Sequence, residues 1–181
     1  MNASASAPFT YEAYARLRDG RRYEVIEGQL LLTPSPRTYH QKVTGNLFAV
    51  LLRHVREHGL GEVLISPCDV VLSSTNVVQP DILFVGRDRL AIIEEKCVSA
   101  APDLVVEVLS PGTTLRDRRL KFRLYARFGV CELWIVDPSL HSIEVFGNSA
   151  GRLHLAAVFG RSDTLRSDVL PSLRVVLAEV F

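Results

Sequence analysis

The apolar residues of the chain recur with two periods, and together these predict a mixed α/β (α+β) fold. From Arg37 to Gly59 they recur every three or four positions, which is typical of one face of a packed helix. A second helix is predicted over 115–128, where Leu120, Leu124 and Phe128 are spaced by four. A short helix is expected to begin after Thr10, a residue suited to an N-cap, and to end at Gly20.

Runs of β-branched and other apolar residues predict the strands. RYEVIEGQLLL reads as a hairpin around Glu27 and Gly28, and the polar segment after PDILFVG is a candidate helical excursion. The tail, VVLAEVF, fits a strand or a helix. No repeat or linker interrupts the chain, so we expect residues 1–181 to form a single domain. The other predicted strands are EVLISP, DVVLSS, PDILFVG, PDLVVEVLSP, CELWIVDP, HSIEVFGN and RLHLAAVFG.

Composition narrows the class of protein only moderately. The chain has 181 residues, 48% of them apolar and 23% charged, with a net charge of +1. This balance suits an ordinary globular protein and does not decide whether the partner is a polyanion. No apolar run is long enough for a membrane span, and the N-terminus does not resemble a secretory signal. Three scattered cysteines form no pair with metal-ligand spacing, so we expect a cytoplasmic protein.

Two acidic residues interrupt apolar strands. Side chains alternate along a strand, so Glu107 shares a face with Val105, and Asp81 shares one with Leu83. Asp103 lies on the same face as Glu107, but four residues along a strand span about 13 Å, too far for both to bind one metal ion. Neighbouring strands are only about 4.8 Å apart, which favours Asp81 as the partner of Glu107. Asp103 is then an exposed residue at the start of its strand.

Two adjacent carboxylates repel each other unless a cation lies between them. A divalent ion would remove this cost and would supply the Lewis acid that phosphodiester hydrolysis needs. The alternative is that Asp81 and Glu107 each pair with an arginine inside the fold. Spacing alone leaves both interpretations open.

The same residues carry a resemblance to a known family. An aspartate in a Pro-Asp pair followed by a strand with Glu-x-Lys resembles the PD-(D/E)XK nuclease superfamily, and more closely its bacterial Uma-two family. The resemblance implies a restriction-endonuclease-like mixed sheet flanked by helices. It also implies an endonuclease that hydrolyses DNA and uses Mg²⁺ or Mn²⁺, with Asp81 and Glu107 as the metal ligands. The matching segments are RYEVIEG, VVQPDILFV, APDLVVEVLSPGTTLRDRRLKFRLYARFGV and CELWIVDP.

One position departs from the superfamily pattern, because Leu109 stands where the lysine of Glu-x-Lys is expected. The resemblance implies that Lys121, on the following helix, supplies this charge and that Asp117 orients it. The alternative is an ordinary ion pair between Asp117 and Lys121, four residues apart on one helix face. Tyr125 continues this face and is expected to pack there.

Two further residues are auxiliary candidates. Glu24, in RYEVIEG, is a candidate third ligand or a supporting group. His40 would act as a base or bind phosphate, although a histidine near a helix start is more often a surface or capping residue.

A second function remains open. Without lysine at position 109, the chain could be a catalytically silent nuclease fold used for nucleic-acid binding or assembly. Strands near the C-terminus could offer a sheet edge to a homodimer. Several basic residues on the helix that carries Lys121 could meet phosphates or could form a solvated face. They are Arg116, Arg118, Arg119 and Arg123.

Overall fold

A computed structural model describes residues 7–110 and 115–181, with side chains from residue 118 onward in the second range. It contains three α-helices, twelve strands and two short 3-10 helices within those residues. The helices are α1 (Tyr11–Tyr14), α2 (Thr38–His58) and α3 (Leu115–Phe128). The strands are β1 (Tyr23–Ile26), β2 (Gln29–Leu32), β3 (Gly61–Ile65), β4 (Val70–Ser73), β5 (Asn76–Val78), β6 (Ile82–Gly86), β7 (Leu104–Val108), β8 (Glu132–Asp137), β9 (Ser142–Ser149), β10 (Arg152–Gly160), β11 (Thr164–Leu165) and β12 (Val175–Val176).

A six-stranded mixed sheet forms the centre of the fold, in the order β10-β9-β8-β7-β6-β3. Only β7 and β8 are parallel, and the connection between them contains α3, as a parallel pair requires. β6 and β7 are antiparallel neighbours, with Ile82 opposite Val106 and Phe84 opposite Leu104. The two strands that carry acids against their apolar pattern are therefore adjacent.

The helices α2 and α3 contribute to different buried clusters. Val43 and Leu47 of α2 pack with Phe84 and Val106 of the sheet. Leu124 and Tyr125 of α3 pack instead with sheet residues from the alternate positions, Leu83, Val105 and Leu133. The strict alternation along β6 and β7 thus assigns their side chains to two opposite faces.

A four-stranded sheet, in the order β2-β1-β5-β4, adjoins the α3 side of the central sheet. Ile26 of β1 and Val78 of β5 belong to the same buried cluster as Leu83 and Tyr125. β1 and β2 form the hairpin predicted around Glu27 and Gly28, both of which have a positive φ. This arrangement brings β1 close to α3.

The mixed fold, the two long helices and the central strands are confirmed. The first helix is shorter than predicted: it is capped by Thr10 but ends at Tyr14, and looser turns follow. The predictions also missed β5, which occupies Asn76–Val78 just before the Pro80–Asp81 pair. The tail combines both alternatives, since β12 is followed by a 3-10 helix over Leu177–Glu179. No helix in the described residues is long and apolar enough to cross a membrane.

Candidate active site

Asp81 and Glu107 lie side by side at one end of the β6–β7 pair. Continuing the register by one residue beyond Ile82 and Val106 places Asp81 opposite Glu107. The Asp81 side chain also bonds to the backbone of β7, because its Oδ2 accepts a hydrogen bond of 2.8 Å from the Val108 backbone N–H. The backbone therefore fixes the orientation of this acid.

Lys121 reaches Glu107 from α3. Its Nζ lies 2.7 Å from Oε1 of Glu107, and the Tyr125 hydroxyl donates to the same oxygen at 2.5 Å. Lys121 and Tyr125 are one helical turn apart, so both side chains point from α3 toward the same carboxylate. The prediction that Tyr125 only packs on this face was incomplete, since its ring is buried while its hydroxyl binds Glu107.

Glu24 joins the same cluster from the smaller sheet. Its Oε1 lies 2.9 Å from Nζ of Lys121 and accepts a hydrogen bond of 2.7 Å from the backbone N–H of Gln79. One ammonium group thus binds acids from β1 and β7. The side chain of Asp117, the other predicted partner of Lys121, lies outside the described residues.

His40 approaches Asp81 from the opposite face of the central sheet. It is buried in the first turn of α2, where Nε2 lies 3.0 Å from the Val108 carbonyl oxygen and 3.4 Å from Oδ2 of Asp81. The expectation of a surface or capping role for His40 was therefore wrong. Its spacing from Val43 and Leu47 on α2 is the sequence signal for a core-facing position.

The ionisation of the cluster follows from its burial and its charges. Burial raises the pKa of Glu107 to about 7. The positive charge of Lys121 lowers this pKa, whereas the negative charges of Asp81 and Glu24 raise it further. Burial lowers the pKa of Lys121, but the Glu107 and Glu24 carboxylates outweigh it, so the pKa lies above its ordinary value. Burial also lowers the pKa of His40, but the hydrogen bond to Asp81 and its negative charge outweigh this effect. The pKa of His40 therefore lies above its ordinary value. Lys121 is therefore a permanent cation at neutral pH.

Asp103 lies at the other end of β7. Its Oδ2 accepts from the Gly86 backbone N–H, and its Oδ1 pairs with Arg89 at 2.6 Å. The separation from Glu107 agrees with the strand argument, but the expectation that Asp103 is exposed was wrong, because only 16% of its side chain is accessible. Leu109, on the same face as Glu107, packs against the apolar cluster of α3.

Sequence reasoning did not identify Arg22 and Gln79. The Arg22 guanidinium binds the side-chain oxygen of Gln79 through Nε and Nη2, and Nη2 also donates to Ser66 at 2.7 Å. Both residues stand beside candidate site residues in the sequence, Arg22 near Glu24 and Gln79 near Asp81. They line, with the acids, a cavity of about 260 Å³. Its charged lining residues are Arg22, Glu24, His40, Asp81, Glu107 and Lys121.

The sequence profile of the Uma2 family, described as "Putative restriction endonuclease", matches residues 10–178. This chain belongs to the Uma2 family. The match covers every residue of the cavity lining and thus the whole candidate site.

Two individual proteins are also similar to this Uma2 chain. The uncharacterized protein slr1290 of Synechocystis sp. (strain ATCC 27184 / PCC 6803 / Kazusa) is 29% identical over 150 residues, which are 78% of this chain and 76% of that protein. The crystal structure of a "putative nuclease belonging to DUF820" from Anabaena variabilis ATCC 29413 superposes with a TM-score of 0.80 at 18% identity. The superposition covers 96% of this chain and 98% of the Anabaena protein, which shows that the two share a nuclease-type fold.

The Uma2 site offers oxygen donors of the kind that Mg²⁺ and Mn²⁺ prefer. Within the described part of the chain, hydrogen bonds and ion pairs use Oδ2 of Asp81 and Oε1 of Glu107, and the second oxygen of each carboxylate has no such partner. No group of three histidine, cysteine, aspartate or glutamate side chains in that part is arranged to hold a metal. Two carboxylates completed by water are a donor set of the kind that commonly holds Mg²⁺.

Proposed function

We propose that this Uma2 protein is an endonuclease that hydrolyses phosphodiester bonds of DNA with Mg²⁺ or Mn²⁺ as cofactor. The observation that carries the proposal is the convergence of two acids and one permanent cation at one cavity. Asp81 precedes β6, Glu107 lies on β7 and Lys121 lies on α3. Family membership and the shared fold are consistent with it. Three free cysteines suit the reducing cytoplasm as its compartment.

Each residue would have a distinct task. Asp81 and Glu107 would hold the divalent ion, which supplies a Lewis acid and lowers the pKa of a bound water. Lys121 would stabilise the negative charge that develops on the phosphate, which is where a fixed cation is most effective. Its two ion pairs keep its Nζ at the cavity.

Three more residues would position this set. Tyr125 would orient Glu107 through its hydroxyl, and His40 would orient Asp81 through Nε2. We assign Glu24 to the same kind of role, because its Oε1 binds Nζ of Lys121 and holds that ammonium group beside Glu107. Partners of this kind fix the direction of a ligand and its basicity. Asp117 stays a candidate for orienting Lys121.

A second candidate function is a catalytically silent nuclease fold that binds nucleic acid. The observation that favours it is the same ion-pair cluster, because Lys121 already pairs with both Glu24 and Glu107 without any added ion. Leu109 in place of the expected lysine points the same way. This alternative predicts a protein that binds DNA but has no metal-dependent cleavage.

Cleavage assays separate the two functions. Purified protein is incubated with supercoiled, linear and single-stranded DNA across a titration of Mg²⁺ and of Mn²⁺, beside Asp81→Ala and Glu107→Ala. The proposal expects metal-dependent cleavage by the wild type and at least about a hundredfold loss in each variant. Activity that survives both substitutions would exclude this site, and DNA binding without cleavage would support the silent module.

A further inference from the structure

Arg22 carries a positive charge that no acid in the described residues neutralises. None of the carboxylates there lies within 4.0 Å of its guanidinium, although the side chain is only partly exposed and lines the cavity that holds Asp81 and Glu107. Its hydrogen bonds go to neutral groups, the Gln79 amide oxygen and the Ser66 hydroxyl. A cation held by neutral groups at a cavity wall retains its full charge for an anionic ligand.

The guanidinium is fixed in orientation and still has free donors. Nε and Nη2 grip the Gln79 oxygen at 3.2 and 3.1 Å, and the second N–H of Nη2 reaches Ser66 at 2.7 Å. A guanidinium has five N–H groups, so both N–H groups of Nη1 remain without a partner in the described residues. The planar group is thus held in place through Nε and Nη2, and Nη1 keeps its two N–H donors for a ligand.

Ser66 adds a second donor next to Arg22. Its hydroxyl oxygen accepts from Arg22, which leaves the hydroxyl proton available to another acceptor. The Ser66 backbone N–H donates to the Asp81 carbonyl oxygen at 2.9 Å. The Arg22–Ser66 pair is therefore tied directly to the residue that we assign to the metal.

From these contacts we infer that Arg22 and Ser66 form a phosphate-binding subsite for a backbone phosphate of the nucleic acid adjoining the one that is cleaved. This inference rests on the proposed function for the identity of its ligand. The subsite accepts any phosphodiester, because it contacts no base. It therefore adds affinity for the strand without sequence selectivity. Asp81 and Glu107 then act on the neighbouring linkage.

The test measures binding of a fluorescent single-stranded DNA oligonucleotide by anisotropy in EDTA, where no metal-dependent cleavage occurs, over a series of salt concentrations. The variants are Arg22→Gln, Arg22→Lys and Ser66→Ala. Arg21→Gln is the matched control, because Arg21 is the exposed neighbour, does not line the cavity and carries the same charge.

We expect Arg22→Gln to weaken binding about tenfold or more and to reduce the salt slope by about one. Arg22→Lys restores the slope, because the charge returns, and only part of the affinity. Ser66→Ala weakens binding about threefold to tenfold and leaves the slope unchanged, because it removes a hydrogen bond and no charge. Arg21→Gln stays within about twofold of the wild type.

Circular dichroism and thermal melts verify that each variant is folded, and Ser66→Ala tests the subsite even if Arg22→Gln does not fold. Equal affinities and equal salt slopes for Arg22→Gln and Arg21→Gln would overturn the subsite, and so would an unchanged affinity in Ser66→Ala.

The inference and the proposed function can fail separately. If the wild type binds the oligonucleotide through Arg22 but does not cleave DNA with Mg²⁺ or Mn²⁺, the subsite stands and the hydrolytic function falls. If the wild type cleaves DNA while Arg22→Gln and Arg21→Gln share one KM and one salt slope, the function stands and the subsite falls.

Discussion

Nζ of Lys121 lies 2.7 Å from Oε1 of Glu107, a contact between the helix α3 and the strand that precedes it. In the Glu-x-Lys pattern that the sequence resembles, the lysine lies two residues after the acid, but here that position is Leu109, which packs in the apolar cluster. A helix that crosses over the sheet can bring a lysine from a distant position to the same carboxylate. The cation of this site is therefore supplied by packing and not by the strand.

Removing the Lys121 charge should destabilise the metal-free protein. Lys121→Met leaves Glu24 and Glu107 as mostly buried acids without a cation, which costs about 3 kcal/mol of unfolding free energy. Urea denaturation in EDTA measures this. Added Mn²⁺ should recover part of the loss in Lys121→Met, because a bound ion neutralises the same acids.

Lys42→Met is the matched control for this experiment, because Lys42 is exposed on α2. Its unfolding free energy should stay within about 0.5 kcal/mol of the wild type. A Lys121→Met protein as stable as Lys42→Met would contradict the ion-pair account of the cluster.

The two Pro-Asp pairs should differ sharply in function. Asp81→Asn should reduce cleavage at least about a hundredfold, since the residue is a proposed metal ligand. Asp103→Asn breaks the pair with Arg89 and should lower the unfolding free energy by about 1–3 kcal/mol without changing kcat at a temperature where the protein is folded. Cleavage rates and urea curves of the two variants test this, and equal loss of activity in both would refute the assignment.

Tyr125→Phe should weaken metal binding and leave the fold intact. The substitution removes only the hydroxyl that donates to Glu107, while the buried ring keeps its packing. Loss of such a supporting bond lowers metal affinity about tenfold to a hundredfold. Calorimetric titration with Mn²⁺ measures it, with Tyr23→Phe as control, because the Tyr23 hydroxyl binds Asp19 at the exposed surface. Identical Mn²⁺ affinities in the two variants would exclude an orienting role for Tyr125.

Glu107 should make the metal-free protein less stable as the pH rises. Burial raises the pKa of Glu107 from 4.5 to about 7 in the folded state. Between these two pH values the folded protein keeps a proton on Glu107 that the unfolded chain has released. This contribution to stability is fully present below pH 4.5 and is lost as the pH rises through about 7.

Urea denaturation in EDTA between pH 5 and pH 8 should therefore show Glu107→Gln gaining relative to the wild type by up to about 3 kcal/mol. Glutamine does not titrate, so the difference isolates this one group. A constant difference across this pH range would show that the Lys121 charge keeps Glu107 ionised throughout.

The sequence could predict those parts of the fold and site that depend on local periodicity. The rise per residue along a strand was enough to separate Asp103 from Glu107, because it puts about 13 Å between them. The preference for Asp81 as the partner of Glu107 also required that their two strands be neighbours, which alternation does not decide. The assignment of Lys121 to the site came from the family resemblance, since its helical spacing by itself favoured an ion pair with Asp117.

The contacts that the sequence could not predict all join segments far apart in the chain. Glu24 meets Lys121 only because the smaller sheet adjoins α3, and Arg22, next to β1 of that sheet, meets Ser66 at the end of β3 in the central sheet. The spacing of His40 from Val43 and Leu47 indicates a core-facing position, but it does not predict that α2 packs over the central sheet and brings His40 to Asp81. The position of one element against another depends on the summed packing of the core, and local patterns carry little of that information.

The most direct test of the central claim is a titration with Mn²⁺ followed by electron paramagnetic resonance, which counts the ions bound to each protein chain. Wild-type protein and Asp103→Ala should each bind Mn²⁺ at one site, and Asp81→Ala and Glu107→Ala should lose that site. Absence of bound Mn²⁺ in the wild type at millimolar concentration, or binding that persists in both site variants, would contradict the account.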